Sequence, residues 1–262
     1  MTAPAWMIYG ANGYTGELIA RAAAERGLKP ILGGRNRAAI ETLARELNFD
    51  CRAFGLEDPK AIEAGLEDCA VVLHCAGPFS RTAKPMIDAC LLAHTHYLDI
   101  TGEIAVFEMA ATYDAVAKMA NIILLPGVGF DVVPTDCLAA ELKLRLPSAT
   151  QLTLAFRGLG ITSRGTTLTA LESMSTGGMI RRDGKLIPVP MAWKTRPIDF
   201  GNGQGPVTAM SVPWGDVATA YYTTGIPNIE AYAVFKPLFR QLGYPYRPQT
   251  DEFVDDYIRS IL

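Results

Sequence analysis

The chain opens on a short apolar run, Trp6-Met7-Ile8-Tyr9, that breaks into glycines spaced Gly10-x-x-Gly13-x-x-Gly16. It then continues with helical periodicity, Leu18, Ile19, Ala22 and Ala23 sharing the predicted apolar face. Lys29-Pro30-Ile31-Leu32-Gly33-Gly34 forms a second strand, and Ile40, Leu43, Ala44 and Leu47 keep helical spacing behind it. Asp58-Pro59 has the form of an N-cap with proline at the first helical position, ahead of Ile62 and Leu66 on one face. The nearly continuous apolar run 70–75 is what a strand covered on both faces requires. A helix over 82–93 turns Met86, Ile87, Cys90 and Leu91 inward, and short strands at 97–100 and 122–125 flank a helix through Phe107, Ala111 and Val116. This alternation predicts an α/β domain with a doubly wound parallel sheet.

From about Thr150 the rhythm changes. Residues 151–157 alternate as a strand, Met179 to Ile187 form a hairpin around Asp183-Gly184, and strands are expected at 207–212 and 229–235, with a loop at 201–206 between. These mark a second, α+β domain with a mainly antiparallel sheet, and the join is placed near Pro147, giving domains 1–147 and 148–262.

Composition narrows the function. With 262 residues, 49% of them hydrophobic, the chain can bury a sizeable core without staples. Lys and Arg (24) are well mixed with Asp and Glu (27) and no basic block occurs, so the sequence carries no electrostatic footprint for nucleic acid and points to small-molecule partners. The five cysteines include no Cys-x-x-Cys pair and sit in apolar company, as core thiols of a reducing compartment do. The first strand starts too near Met1 for a signal region, and no apolar run approaches the ~18 residues of a spanning helix, so a cytoplasmic protein is expected.

The glycine turn carries the first candidate chemistry. Gly10 permits a sharp turn, Gly13 a close approach of pyrophosphate and Gly16 tight helix packing, so the turn from Gly10 through Ala11, Asn12, Gly13, Tyr14 and Thr15 to Gly16 is the expected cofactor cradle. The helix start adds free N–H groups and a partial positive charge. A glycine-rich turn that holds nothing is the bland alternative; the end of the second strand weighs against it. Arg35-Asn36-Arg37 stand where an acidic side chain would bind an NAD ribose, with no Asp or Glu between Lys29 and Ala39, so Arg35 points to the 2′-phosphate of NADP(H). Ligands of such sheets lie outside the carboxyl ends of the strands. Ala76-Gly77-Pro78-Phe79, 99–103 and 126–131 are therefore expected around one crevice, with Asp99, Thr101, Glu103 and Asp131 as candidate catalytic groups. Asp131 and Asp136 serve equally well as caps of the helix that follows. Arg164 and Trp214 are candidate substrate contacts; a solvated arginine and a core tryptophan are their plain alternatives.

Several of these segments together resemble the saccharopine dehydrogenase-like oxidoreductases, a group that includes trans-acting enoyl reductases. They are the glycine motif, Gly34-Arg35-Asn36, Ala76-Gly77-Pro78-Phe79, Tyr97-Leu98-Asp99-Ile100-Thr101-Gly102-Glu103 and Gly129-Phe130-Asp131-Val132-Val133-Pro134-Thr135-Asp136. Ser163-Arg164-Gly165-Thr166 and Trp214 to Ala220 are similar to the same group. The resemblance implies a Rossmann domain binding NADP(H), a second domain that closes over the nicotinamide, and hydride transfer to a C=N or C=C bond of a small-molecule or acyl substrate. Members of the group usually run longer, so a truncated form of a longer protein is an expectation too. A homodimer through the second sheet is the assembly that fold-level analogy offers.

Other chemistries fit less well. Tyr113 and Lys118 miss the Tyr-x-x-x-Lys spacing of short-chain dehydrogenases by one residue, and Tyr232 with Lys236 falls in strand-like sequence before Pro237. His74, His94 and His96 lack the company of a zinc site. The alternative from another class is a catalytically inactive NADP-binding redox sensor.

Overall fold

Met7, Ile8 and Tyr9 are consecutive and all shut off from solvent, which requires a strand with a core on each side. In the computed structural model, which describes residues 4–157 and 177–234, the chain divides into two compact units, Met1–Pro134 and Thr135–Leu262. The first unit contains β1 (Ala5–Tyr9), α1 (Tyr14–Glu25), β2 (Ile31–Gly34), α2 (Arg37–Leu47), β3 (Cys51–Ala53) and α3 (Pro59–Gly65). It continues with β4 (Cys69–His74), α4 (Phe79–Ala93), β5 (His96–Asp99), α5 (Ile104–Thr112), α6 (Asp114–Ala120) and β6 (Leu124–Leu125). The strands order β3-β2-β1-β4-β5-β6 and pair in parallel throughout. That is the order of a dinucleotide-binding sheet, with its switch point between β1 and β4.

Alternation along β1 feeds two cores. Ile8 joins Leu32, Ala20, Ile40, Leu43 and Ala44 under α1 and α2. Met7 and Tyr9 join Val72, Met86, Ile87 and Tyr97 under the helices of the other face. Asp58 caps α3 as its sequence predicts, accepting from the Lys60 N–H at 3.0 Å, with Pro59 at the first position.

The apolar face expected for α1 is met in part: Ala23 is buried and Ile19 packs on the core, but Leu18 is half exposed and Gly16 and Ala20 complete the buried face. The helix lies so close to its strand that a Cβ on Gly16 would collide with the Gly10 carbonyl oxygen, so small residues form the contact. The helix through Phe107 and Val116 is two helices meeting at Tyr113, whose ψ of 0° breaks the run. β3 is too short and too half-buried to leave a periodic signal.

The division after Pro134 falls within the first turn of α7 (Val133–Arg145), ahead of the join expected near Pro147. The reason is packing: Ala139 of α7 shares a cluster with Leu152, Leu154, Ala220, Ile226 and Ile229. The strands are β7 (Gln151–Arg157), β8 (Gly178–Arg182), β9 (Lys185–Val189), β10 (Thr195–Ile198), β11 (Val207–Val212) and β12 (Asn228–Val234), with α8 (Asp216–Thr224) before the last. β12 pairs in parallel with β7 along its length, and its other edge is shared by the antiparallel β11 and β8. Asp183 and Gly184, both with positive φ, make the tight turn between β8 and β9. β10 escaped the sequence pattern because Pro197 interrupts it, which an edge strand tolerates. The 163–166 segment with Arg164 lies outside the described residues.

Gly16→Ala is expected to cost about 3 kcal/mol or more in denaturant unfolding, because backbone must move to admit the methyl group. Gly27→Ala is the control: φ is +69° but nothing lies within 4 Å, so about 1–2 kcal/mol is expected.

Candidate active site

The site is assembled from the residues that follow β1, β2, β4, β5 and β6. The glycine turn is pinned to the neighbouring strand, since the Gly10 and Ala11 N–H groups both donate to the Gly33 carbonyl, at 2.8 and 3.1 Å. Gly10 has φ +82°, and a Cβ there would stand 2.8 Å from the Ala76 nitrogen, so the turn presses against the loop after β4. Ala11 is buried; Asn12, Gly13 and Tyr14 are exposed. α1 starts at Gly13 without a side-chain cap. Among the described residues no acceptor meets the N–H groups of Tyr14, Thr15 or Gly16.

Two other helix starts at this end of the sheet, those of α2 and α4, hold a side-chain oxygen. Asn36 caps α2, its Oδ1 accepting from the Ala39 N–H at 3.2 Å, so only its amide nitrogen is left for a ligand. Glu103 reaches across from the loop after β5 to cap α4, Oε1 accepting from Phe79 N–H at 2.9 Å and Oε2 from Ser80 N–H at 2.7 Å. A helix start holding a carboxylate is closed to a second anion; α1 is open to one. The two arginines also separate. Arg37 is bridged to Glu41, at 3.4 Å, whereas Arg35 is exposed and pairs with no carboxylate among the described residues.

Three of the four expected catalytic groups are engaged in hydrogen bonds within the protein. Asp99 is fully buried and accepts from the Tyr97 hydroxyl at 2.6 Å, the Thr101 N–H at 2.9 Å and the Gly127 N–H at 2.8 Å. It ties loops together below the surface instead of standing at the mouth of the sheet. Burial pushes its carboxyl above the usual range, and those three hydrogen bonds pull the other way. Thr101 is buried as well, its hydroxyl accepting from the Glu103 N–H at 3.0 Å. Glu103 has both oxygens engaged on α4. Asp131 remains: it is partly exposed, burial raises its pKa above 3.8, and its Oδ2 lies over Gly102, where a Cβ would come within 2.6 Å.

Phe79 also departs from its expected place. Its ring is buried and meets His74 edge-on, with centroids 5.4 Å apart, so only its backbone and the Gly77-Pro78 segment border the crevice. The Thr82 hydroxyl holds that segment by donating to the Ala76 carbonyl at 2.7 Å. His74 entered the sequence reading only as a zinc ligand that lacked company. It is wholly buried among Tyr9, Phe79 and Tyr97, its ring nitrogens have no partner among the described residues, and burial pushes its pKa down to about 3. Tyr97 could have been found, because residues two apart on a strand share a face and so put its hydroxyl beside Asp99.

In the second unit Trp214 packs its ring on Phe156, centroids 4.1 Å apart. Asp136 sits inside the first turn of α7 rather than at its cap and accepts from the Thr223 hydroxyl at 2.5 Å. His94 and His96 bond the backbone of Ala120 and Ile123, at 3.0 and 2.9 Å. Tyr113 donates to Asp88 at 2.9 Å, Lys118 bridges Asp114, and Tyr232 lies on a strand. No helix among the described residues is long and apolar enough to cross a membrane.

Comparison with known proteins decides the relationship. Residues 6–125, from β1 to β6, match the saccharopine dehydrogenase NADP binding domain. Over this stretch the chain is similar to the saccharopine dehydrogenase-like proteins. It is 31% identical over 150 residues to a trans-acting enoyl reductase of Mycobacterium leprae, a match covering 53% of this chain and 35% of that protein. It is 26% identical over 153 residues to a saccharopine dehydrogenase-like oxidoreductase of Bos taurus, covering 50% of this chain and again 35% of the relative. The matched stretch is thus about a third of these relatives' length. Apo saccharopine dehydrogenase (L-Glu forming) from Saccharomyces cerevisiae shares the fold, with a TM-score of 0.65 at 12% identity over 88% of this chain and 55% of that one. The chain therefore combines a Rossmann-like parallel sheet, over the stretch similar to an NADP binding domain, with a second unit carrying a mainly antiparallel sheet.

Two stability measurements check the loop ties. Asp99→Ala leaves three donors buried and unmatched, so unfolding free energy should fall by about 3 kcal/mol or more. For Asp131, a raised folded pKa means that the folded state binds the proton more tightly than the unfolded chain. Its contribution is fully present below pH 3.8 and is lost as pH rises through the folded value. Asp131→Asn should flatten that part of the stability profile and raise stability at neutral pH, as urea titrations across pH would read.

Proposed function

We propose that the chain is an NADPH-dependent reductase that delivers hydride to a C=N or C=C bond of a small-molecule or acyl substrate. The observation that carries this reading is Arg35, exposed and unmatched by a carboxylate directly after β2, beside a glycine turn whose helix start is open. The residues fit the cofactor. Tyr14, Thr15 and Gly16 would offer N–H groups to the pyrophosphate, Gly13 leaves the outside of the turn clear, and Arg35 would pair with the 2′-phosphate. When bound, NADPH supplies the hydride.

The chain's own residues position and protonate. The Glu103 cap on α4 fixes the loop 76–79 against Gly10, and Asp99 fixes the loops after β5 and β6. Asp131 is the acid we assign to the acceptor, because burial favours its neutral, proton-donating form. The five cysteines are unpaired, in keeping with a reducing, cytoplasmic compartment.

A second reading, a redox sensor that binds NADP without turning it over, draws on the same loops, since Asp99, Thr101 and Glu103 are all engaged in structural hydrogen bonds. Stereospecifically deuterated NADPH separates the two. The reductase transfers deuterium to a member of a panel of imines and enoyl thioesters; intact binding with no transfer to any of them supports the sensor.

Cofactor choice has its own test. A hydrogen bond to a charged group is worth about 1.5–3 kcal/mol, so NADPH should bind tenfold to about a hundredfold tighter than NADH. Arg35→Ala should erase the gap while Arg37→Ala leaves it, in nucleotide fluorescence titrations. Equal affinities in the parent protein would refute the assignment.

A further inference from the structure

In the parallel register of β2 and β3, Gly34 lies beside Ala53, and the Phe54 N–H donates to the Gly34 carbonyl at 3.1 Å. Arg35 and the Phe54-Gly55-Leu56-Glu57 loop therefore leave the sheet side by side, at the usual strand spacing of about 4.8 Å. Tyr9 of β1 ties the loop down, its hydroxyl donating to the Phe54 carbonyl at 2.9 Å. Two charges of opposite sign stand around this hydroxyl. Burial pushes the Tyr9 pKa up to about 12, Glu57 adds to the rise and Arg35 opposes it, so both charged groups act on the same atom. They are not joined to each other, for neither makes an ion pair with the other among the described residues. Asp58 is spent on capping α3, but Glu57 is exposed and meets no hydrogen-bond donor among the described residues. Its carboxylate folds back over Gly55, where Oε2 takes up the space that a side chain on residue 55 would need.

A carboxylate only accepts hydrogen bonds, which limits what it can hold. With the dinucleotide placed as proposed above, its pyrophosphate lies at the turn after β1 and its 2′-phosphate on Arg35 after β2. The next strand outward is β3. The adenosine half of the cofactor consists mostly of acceptors, the phosphate oxygens and the ring nitrogens. Its donors are the 3′-hydroxyl of the ribose and the 6-amino group of the adenine. The hydroxyl adjoins the phosphate that Arg35 holds, whereas the amine lies at the far edge of the base. Glu57 stands one strand further out than Arg35, and so matches the amine. We propose that Glu57 reads the base of the cofactor: its carboxylate accepts from the adenine 6-amino group and repels a purine with a carbonyl at that position. Gly55, having no side chain, admits the carboxylate to this place. The inference rests on the reading of the chain as an NADP(H) protein.

Nucleotide fluorescence titrations of the full chain test this with NADPH and its hypoxanthine analogue, in which a 6-carbonyl replaces the 6-amino group. The parent should bind NADPH tenfold to about a hundredfold more tightly than the analogue, as a hydrogen bond to a charged group allows. Glu57→Gln should close that gap, because an amide accepts from the amine and donates to the carbonyl equally well. Gly55→Asp made together with Glu57→Ala should reopen it, since an aspartate at residue 55 returns a carboxylate to the same space. Glu57 is exposed, so the fold should survive each change, and circular dichroism checks that it does. The proposal fails if the parent does not distinguish the two nucleotides, if Glu57→Gln keeps the gap, or if the double variant does not restore it. Should Glu57→Gln weaken NADPH and the analogue alike, the carboxylate belongs to the ribose hydroxyl, which also overturns it. All these failures leave NADPH binding in place; a parent that binds neither nucleotide removes the cofactor assignment as well.

Discussion

A carboxylate sealed from solvent, Asp99, sets the geometry at the carboxyl end of the first sheet. It collects donors from its own strand, from the turn that follows and from the loop after β6. Leaving any of them unmatched in the interior costs more than the net gain of an ordinary hydrogen bond, so the loops cannot drift apart cheaply. Thr101, held by that knot, bonds the Glu103 N–H, and Glu103 in turn holds the start of α4. The loop 76–79, through Ala76, then abuts Gly10. One continuous set of contacts thus runs from β6 to the glycine turn.

That arrangement separates two uses of acidic side chains. An acid facing backbone N–H groups is spent on architecture, and Asp99 and Glu103 are of this kind. Burial pushes the Asp131 carboxyl toward its protonated form. The same contrast holds for helix starts: the starts of α2 and α4 carry side-chain oxygens, while that of α1, behind the glycine turn, does not. The start of α1 is therefore left able to receive an anion.

The second unit draws its core from distant strands. Leu152 and Leu154 of β7 share a cluster with Ile229 of β12, Ala139 of α7 and Ala220 of α8. The two strands are far apart along the chain. Pairing brings them together.

Along the chain, periodicity and turn chemistry were enough to place β1, the glycine turn, α2, the Asp58-Pro59 start of α3, β4 and the Asp183-Gly184 hairpin. These are local signals, set by side-chain alternation and by residues that suit particular backbone angles. The Arg35 position was legible for the same reason, since it follows directly from where β2 stops. The roles of Asp99, Thr101, Glu103, Phe79 and His74 were not, because each depends on which loop lies opposite. A sequence shows that an acid is present; only packing decides whether its oxygens meet backbone amides or a solvent-lined crevice. β3 and β10 were hidden likewise, as short edge strands owe their existence to the neighbour that pairs with them.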